Sequence, residues 1–136
     1  MKIEETQELS RRAATCKGWR WLPGMLIQDW ASGIRYFWAD DKWFHGIAEK
    51  SNAFMRITPA KSFPDLTDSA TLGCLLQLVR EAYADQCACV FPIDYGPAGV
   101  MWQVRLTAGG RQVTARHYTT EAEALVAALE AANELP

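Results

Sequence analysis

The residues of this chain best equipped for recognition chemistry are aromatic and basic side chains set close together. Trp19, Arg20 and Trp21 form one run, and Arg35, Tyr36, Trp38 and Trp43 follow, with Trp30 between them. Rings and guanidinium groups interleaved in this way suit a nucleobase with its phosphate, or the anchor residues of a protein partner. The plainer reading is packing, because each buried tryptophan removes a large area from water. A second candidate surface is the outward face of the rear strands, where alternation sets Gln103, Arg105, Thr114 and Arg116.

Catalytic and metal chemistry find less support. Cys87 and Cys89 flank one residue and would share a strand face, and with His45 and His117 they offer metal-binding atom types, but the spacing fits no zinc motif. Cys74 lies among leucines on a helical pattern and is expected to be buried. No serine or cysteine sits in a nucleophile elbow, no glycine-rich loop is built to cradle phosphate, and Asp40-Asp41 reads as a hairpin tip. The expectation is a protein that is not an enzyme and holds no metal and no cofactor.

The elements that must position these residues belong to a chain of 136 residues, 49% apolar and 22% charged, which are the values of one globular domain. It is expected to fold alone or as a small homo-oligomer. The net charge of −2 divides unevenly: residues 1–65 carry ten Lys/Arg against eight Asp/Glu, and residues 66–136 carry four against eight. Neither balance is the basic footprint of a double-stranded nucleic-acid binder. No apolar run approaches the roughly 18 residues of a membrane span, and the polar start lacks the apolar core of a signal peptide. No membrane association and a cytoplasmic location are expected.

Residues 3–15 read as a polar helix with Ile3, Leu9 and Ala13 on its apolar stripe, closed by Gly18 and followed by the turn Pro23-Gly24. From 25 to 58, four short aromatic and β-branched runs with brief loops predict an antiparallel meander. The organising stretch is 63–85. Asp68 is a helix N-cap with Ser69 first in the helix, and Leu72, Leu75, Leu76, Val79, Ala82 and Tyr83 recur at three- and four-residue spacing. Gly73 inside this helix is expected to admit a close neighbour. Beyond it come strands over 87–93, 100–107 and 111–118, the second alternating with Val100, Trp102, Val104 and Leu106 inward. A last helix opens on the capping box Thr120-Glu121-Ala122-Glu123. The fold class read from this order is α+β: an N-terminal helix and four-stranded antiparallel meander (residues 1–62), followed by an α-β-β-β-α sandwich unit (63–136), in one domain over 1–136.

The polar helix leading into Gly18-Trp19-Arg20-Trp21, the Phe63-Pro64-Asp65-Leu66 lead into a leucine-rich helix, the Trp102 hairpin and the 120–125 opening of the last helix together resemble the phage ABA sandwich domain. The stretch from Pro64 to Leu76 is also similar to uncharacterised tailed-phage and prophage proteins. The resemblance implies a layered α/β sandwich of phage origin and brings no catalytic residues with it. The α-β-β-β-α order resembles the double-stranded RNA-binding domain too, but Glu121 and Glu123 stand where that module needs cations for phosphate. The functional expectation is a non-enzymatic phage or prophage accessory protein that binds a host protein and inhibits a host process or defence. The alternatives are a protein that sequesters a nucleotide-like signal at the Trp/Arg region and a virion or assembly component.

Overall fold

The computed structural model describes residues 3–28, 35–39, 42–45, 54–55, 63–107, 112–113 and 116–135; for residues 3, 28, 35–39, 42–45 and 54–55 the description is of the backbone alone. Helices and antiparallel strands are mixed, so the class is α+β. The chain divides into two compact units, Met1–Ala14 with Arg20–Cys74, and Thr15–Trp19 with Leu75–Pro136.

The first unit begins with helix α1, Ile3–Ala14, whose acids Glu4 and Glu5 lie in the first turn and whose Arg11 and Arg12 lie in the last, each complementing the helix dipole. Its buried line is Thr6, Leu9, Ser10 and Ala13, at three- and four-residue spacing. The buried Ser10 hydroxyl is satisfied by the Thr6 carbonyl at 3.0 Å. Pro23 and Gly24 then make the expected turn: the Met25 N–H donates to the Leu22 carbonyl at 3.1 Å, and Gly24 takes φ 96, the pattern of a type II turn.

Strand β1, Leu26–Gln28, follows, and then β2, Arg35–Ala39, β3, Lys42–His45, and β4, Phe54–Met55. Backbone register pairs Leu26 with Phe37, Phe37 with Phe44, Trp38 with Trp43, and Phe44 with Phe54, all antiparallel. Much of the meander expected over 25–58, including Trp30 and the turn at Asp40-Asp41, lies outside the described residues.

Helix α2, Ser69–Ala82, starts where the cap pattern places it. The Asp68 carboxylate accepts from the Thr71 N–H at 2.9 Å and from the Thr71 hydroxyl at 2.8 Å, and that hydroxyl in turn accepts from the Leu26 N–H at 2.8 Å. The Asp65 N–H donates to the Leu26 carbonyl at 2.8 Å, so β1 is held on both sides of Leu26 by the lead into α2. The buried line of α2 is Thr71, Leu75, Leu78 and Val79; Leu78, absent from the expected stripe, is among its most buried residues, whereas Leu72 and Leu76 are half-buried. Cys74 corrects the expectation of burial: it is half-buried, with its thiol 3.6 Å from the Pro23 carbonyl. Partial burial, and then the nearby Asp68 carboxylate, push its pKa up.

The end of α2, in the second unit, is a Schellman motif. Asp85 N–H donates to the Arg80 carbonyl at 2.9 Å and Ala84 N–H to the Glu81 carbonyl at 3.2 Å, with Ala84 at φ 52. Asp85 then reaches forward. Its carboxylate accepts from the Cys87 N–H at 3.0 Å, from the Thr107 N–H at 2.7 Å and from the Thr107 hydroxyl. Strand β5, Cys89–Asp94, pairs antiparallel with β6, Val100–Arg105, from Cys89 opposite Arg105 to Asp94 opposite Val100. Pro92 lies opposite Trp102, whose own N–H and carbonyl are both engaged with Tyr118 on the far side, at 2.6 and 2.9 Å. The Pro92–Trp102 pair therefore uses no bond of the β5–β6 ladder, and proline's missing N–H costs that ladder nothing.

The third strand expected over 111–118 is reduced, among the described residues, to two bridges, Arg105 with Gln112 and Trp102 with Tyr118. Between them β6 spends residues 103–104 and the returning segment spends 113–117, a mismatch that breaks a regular ladder. Helix α3, Glu121–Ala132, opens on Thr120, whose hydroxyl accepts from the Glu123 N–H at 3.1 Å and donates to the Glu123 carboxylate at 3.2 Å. Ala122 and every residue from Ala124 to Leu129 are buried, so this helix is enclosed nearly all round. It packs on β5 and β6, takes the Tyr83 hydroxyl on its Ala128 carbonyl at 2.8 Å, and meets Gly18, where an added Cβ would lie 3.2 Å from a Leu129 methyl.

Two backbone positions carry the wrong residue for their conformation. A Cβ built on Gly73 meets no atom within 4 Å among the described residues, so the expected close approach is not there and the glycine only weakens the helix; Ala84 occupies the left-handed site where glycine is unstrained. Gly73→Ala and Ala84→Gly are each expected to stabilise by about 0.5–1 kcal/mol. Urea unfolding of both single variants and the double variant checks this, and a loss of stability in either single variant contradicts it.

The bonds from the Thr107 hydroxyl and N–H hold the Asp85 carboxyl below its ordinary value of 3.8. A depressed folded pKa means a contribution present in full above the unfolded value, declining as the pH drops below it, and gone once the pH is under the folded value. Urea midpoints of the wild type and Asp85→Asn are expected to differ at neutral pH in favour of the wild type and to converge in strong acid. Parallel curves would remove Asp85 as the cause.

Candidate functional site: a buried amide inside a polar cluster

Of the aromatic and basic constellation of the front half, the side chains described are those of Trp19, Arg20 and Trp21. Trp19 and Trp21 are half-buried and Arg20 is exposed. Arg35, Tyr36, Trp38 and Trp43 are described by backbone alone; register sets Trp38 opposite Trp43 and Tyr36 opposite His45. In the second candidate surface the structure joins Gln103 to Arg105, puts Arg116 over the Tyr118 ring at 5.7 Å, and leaves Thr114 outside the described residues.

Gln103 overturns its expected place on a solvated face. Its relative exposure is 0%, although neighbouring Val104, on the opposite face of the strand, is also buried at 2%. The reason is the offset of the returning segment, which carries Gln112 and His117 over the amide, while Arg105 closes the third side. Val100, expected inward, stands 48% exposed at the sheet's open end.

The turn after β5 supplies the last member. The Asp94 carboxylate accepts from the Gly96 N–H at 2.8 Å, the Tyr95 N–H donates to the Gly99 carbonyl at 2.9 Å, and Gly96 and Gly99 take φ 66 and 90. This tight reversal brings the Tyr95 hydroxyl onto His117 Nδ1, with the two rings 5.5 Å apart.

Hydrogen-bond complementarity fixes the orientation of the amide. With Oε1 toward Arg105 it accepts from Nε at 2.9 Å and Nη2 at 2.8 Å; Nε2 then donates to His117 Nε2 at 3.0 Å and to Gln112 Oε1 at 2.9 Å. Every hydrogen-bonding position of the side chain is filled, which is how a fully buried amide is tolerated. The arrangement dictates the state of the histidine. Nε2 accepts, so in the neutral ring the proton is on Nδ1 and is donated to the Tyr95 oxygen. His117 in this form does not draw the proton from Tyr95, so the pair is not an activated nucleophile. What faces outward is donor-rich: Tyr95, a residue 43% exposed, with its hydroxyl, and the remaining N–H groups of Arg105, whose guanidinium lies over the Phe91 ring at 4.7 Å.

Phe91, Tyr95, Gln112 and His117 were not singled out for this site by sequence. No local signal marks them, since they meet only through the glycine turn and the offset return. No group of three or more His, Cys, Asp or Glu among the described residues is placed to hold a metal, and no described helix is long and apolar enough to cross a membrane. Compared with protein-family models, curated proteins and solved structures, the chain matches none of them.

Nitrogen chemical shifts of the neutral His117 ring are expected to show the Nδ1–H tautomer. Observation of the Nε2–H form would reverse the assignment of the Gln103 amide.

Proposed function

We propose that this chain is a non-catalytic binding protein, a phage or prophage accessory factor that engages a host protein in the host cytoplasm and inhibits a host process or defence. The observation that carries the non-catalytic part is the His117 ring, both of whose nitrogens are committed inside the cluster while Arg105 and Tyr95 present donors outward. A guanidinium pre-stacked on an aromatic ring loses little freedom when it pairs with a carboxylate, and arginine and tyrosine are the residue types that anchor protein interfaces. The acidic balance of residues 66–136, four Lys/Arg against eight Asp/Glu, favours a discrete carboxylate on a protein over a polyanion. The phage origin rests on the sequence resemblance. The same reading takes the four strands of the first unit as one continuous meander and the second unit as a sandwich.

The test is affinity capture with the immobilised chain and with Arg105→Glu, both checked for folding by circular dichroism. A host protein retained by the wild type and lost by the variant is the expected result. Turnover of any nucleotide, or a melting temperature raised by added nucleotides, would overturn it, the latter in favour of a sequestering protein.

A further inference from the structure

The Gln103 amide joins two groups that have no other link. Its oxygen holds the Arg105 guanidinium and its nitrogen holds His117 Nε2, and the side chain is wholly buried between them. An amide has nearly the same shape when its oxygen and nitrogen exchange places, so a half-turn about its last bond costs only the hydrogen bonds it breaks. In the orientation described, it fits a neutral His117 only. A protonated imidazole carries N–H on both nitrogens, and Nε2 then faces the Gln103 NH2 as donor against donor.

We propose that Gln103 is a two-position switch that couples a proton on His117 to release of Arg105 for an oxyanion. When His117 takes a proton from solvent at Nε2, the amide turns, Oε1 accepts that N–H, and the NH2 turned toward Arg105 can no longer accept from it. Gln112, whose Nε2 lies 3.2 Å from the Gln103 nitrogen, reverses its own amide to donate to the relocated oxygen. Released from the amide, the guanidinium turns its Nε/Nη2 edge away from the buried Gln103 side chain, and that edge then pairs with a carboxylate or phosphate in two-point fashion.

Among the described residues, the charged and titratable groups near His117 are few. Tyr95 comes from the turn after β5, Arg105 acts through Gln103 from β6, and Arg116 and Tyr118 belong to its own segment. No carboxylate bonds to it among the described residues, so the proton comes from solvent and the coupling runs through the amide. By linkage, an oxyanion that takes Arg105 draws a proton onto His117 to the same degree. Only the oxyanion step rests on Arg105 being the docking residue of the proposed function; the switch stands without a partner.

The experiment is NMR of the full chain followed as pH is lowered until His117 is protonated, with sulfate as the probe because its charge is constant over that range. The side-chain amide of Gln103 and the Nε–H of Arg105 are expected to shift with the same midpoint as His117. Sulfate is expected to move the Arg105 Nε–H in acid and much less above the midpoint. In Arg105→Met the neutral His117 is expected to change to the Nε2–H tautomer, which loss of a charge alone does not cause. In Gln103→Met, sulfate is expected to act on Arg105 equally on both sides of the midpoint.

Gln103 and Arg105 signals flat through the His117 titration, or an unchanged tautomer in Arg105→Met, would overturn the switch. Coupled signals with no sulfate effect at Arg105 would overturn the oxyanion site. If Gln103→Met does not fold, the wild-type titration and the tautomer readout decide the matter.

Discussion

The hydroxyl of Thr71 is the point at which β1 and the start of α2 are tied together. It accepts from Leu26, 45 residues earlier in the chain, and donates to Asp68, whose carboxylate also closes the first turn of α2. One oxygen thus settles where β1 runs and where α2 starts. With the start fixed, the 3.6-residue period decides which side chains of α2 are buried, and Leu75, Leu78 and Val79 follow. A second carboxylate acts just beyond the other end, where Asp85 ties the exit of α2 to Thr107 past the end of β6. The helix is bracketed by two aspartates that do the same work in opposite directions along the chain.

The polar cluster is a consequence of imperfect pairing. Had the returning segment matched β6 residue for residue, Gln103 would have stood on a solvated face, as its alternation with Val104 dictates. The surplus of residues between the two bridges instead leaves His117 beside it, next to Gln112 of the first bridge. A buried amide is costly unless complete, and completion here is supplied by charged and aromatic neighbours.

Features set by short stretches were legible in the sequence, because their causes lie within a few residues. The Asp68 cap, the Pro23-Gly24 turn and the Thr120–Glu123 box are all found where pattern put them. Cys74 and Leu78 were misplaced by a shift of the helical stripe, which a threonine bonded at distance controls. The site was the least legible part. Alternation sets Gln103 and Arg105 on one face, but Tyr95 reaches them through the glycine turn and His117 through a register offset, neither of which periodicity encodes. The side chains of the aromatic run at 35–43, the most conspicuous feature of the sequence, lie outside the described residues.

Pro92 has a consequence for the company this protein keeps. Because its backbone nitrogen points away from β6, the atom it lacks is the hydrogen that a foreign strand would seek on the exposed margin of β5. Self-templated growth of the sheet is interrupted at that point while the native fold gives up no bond.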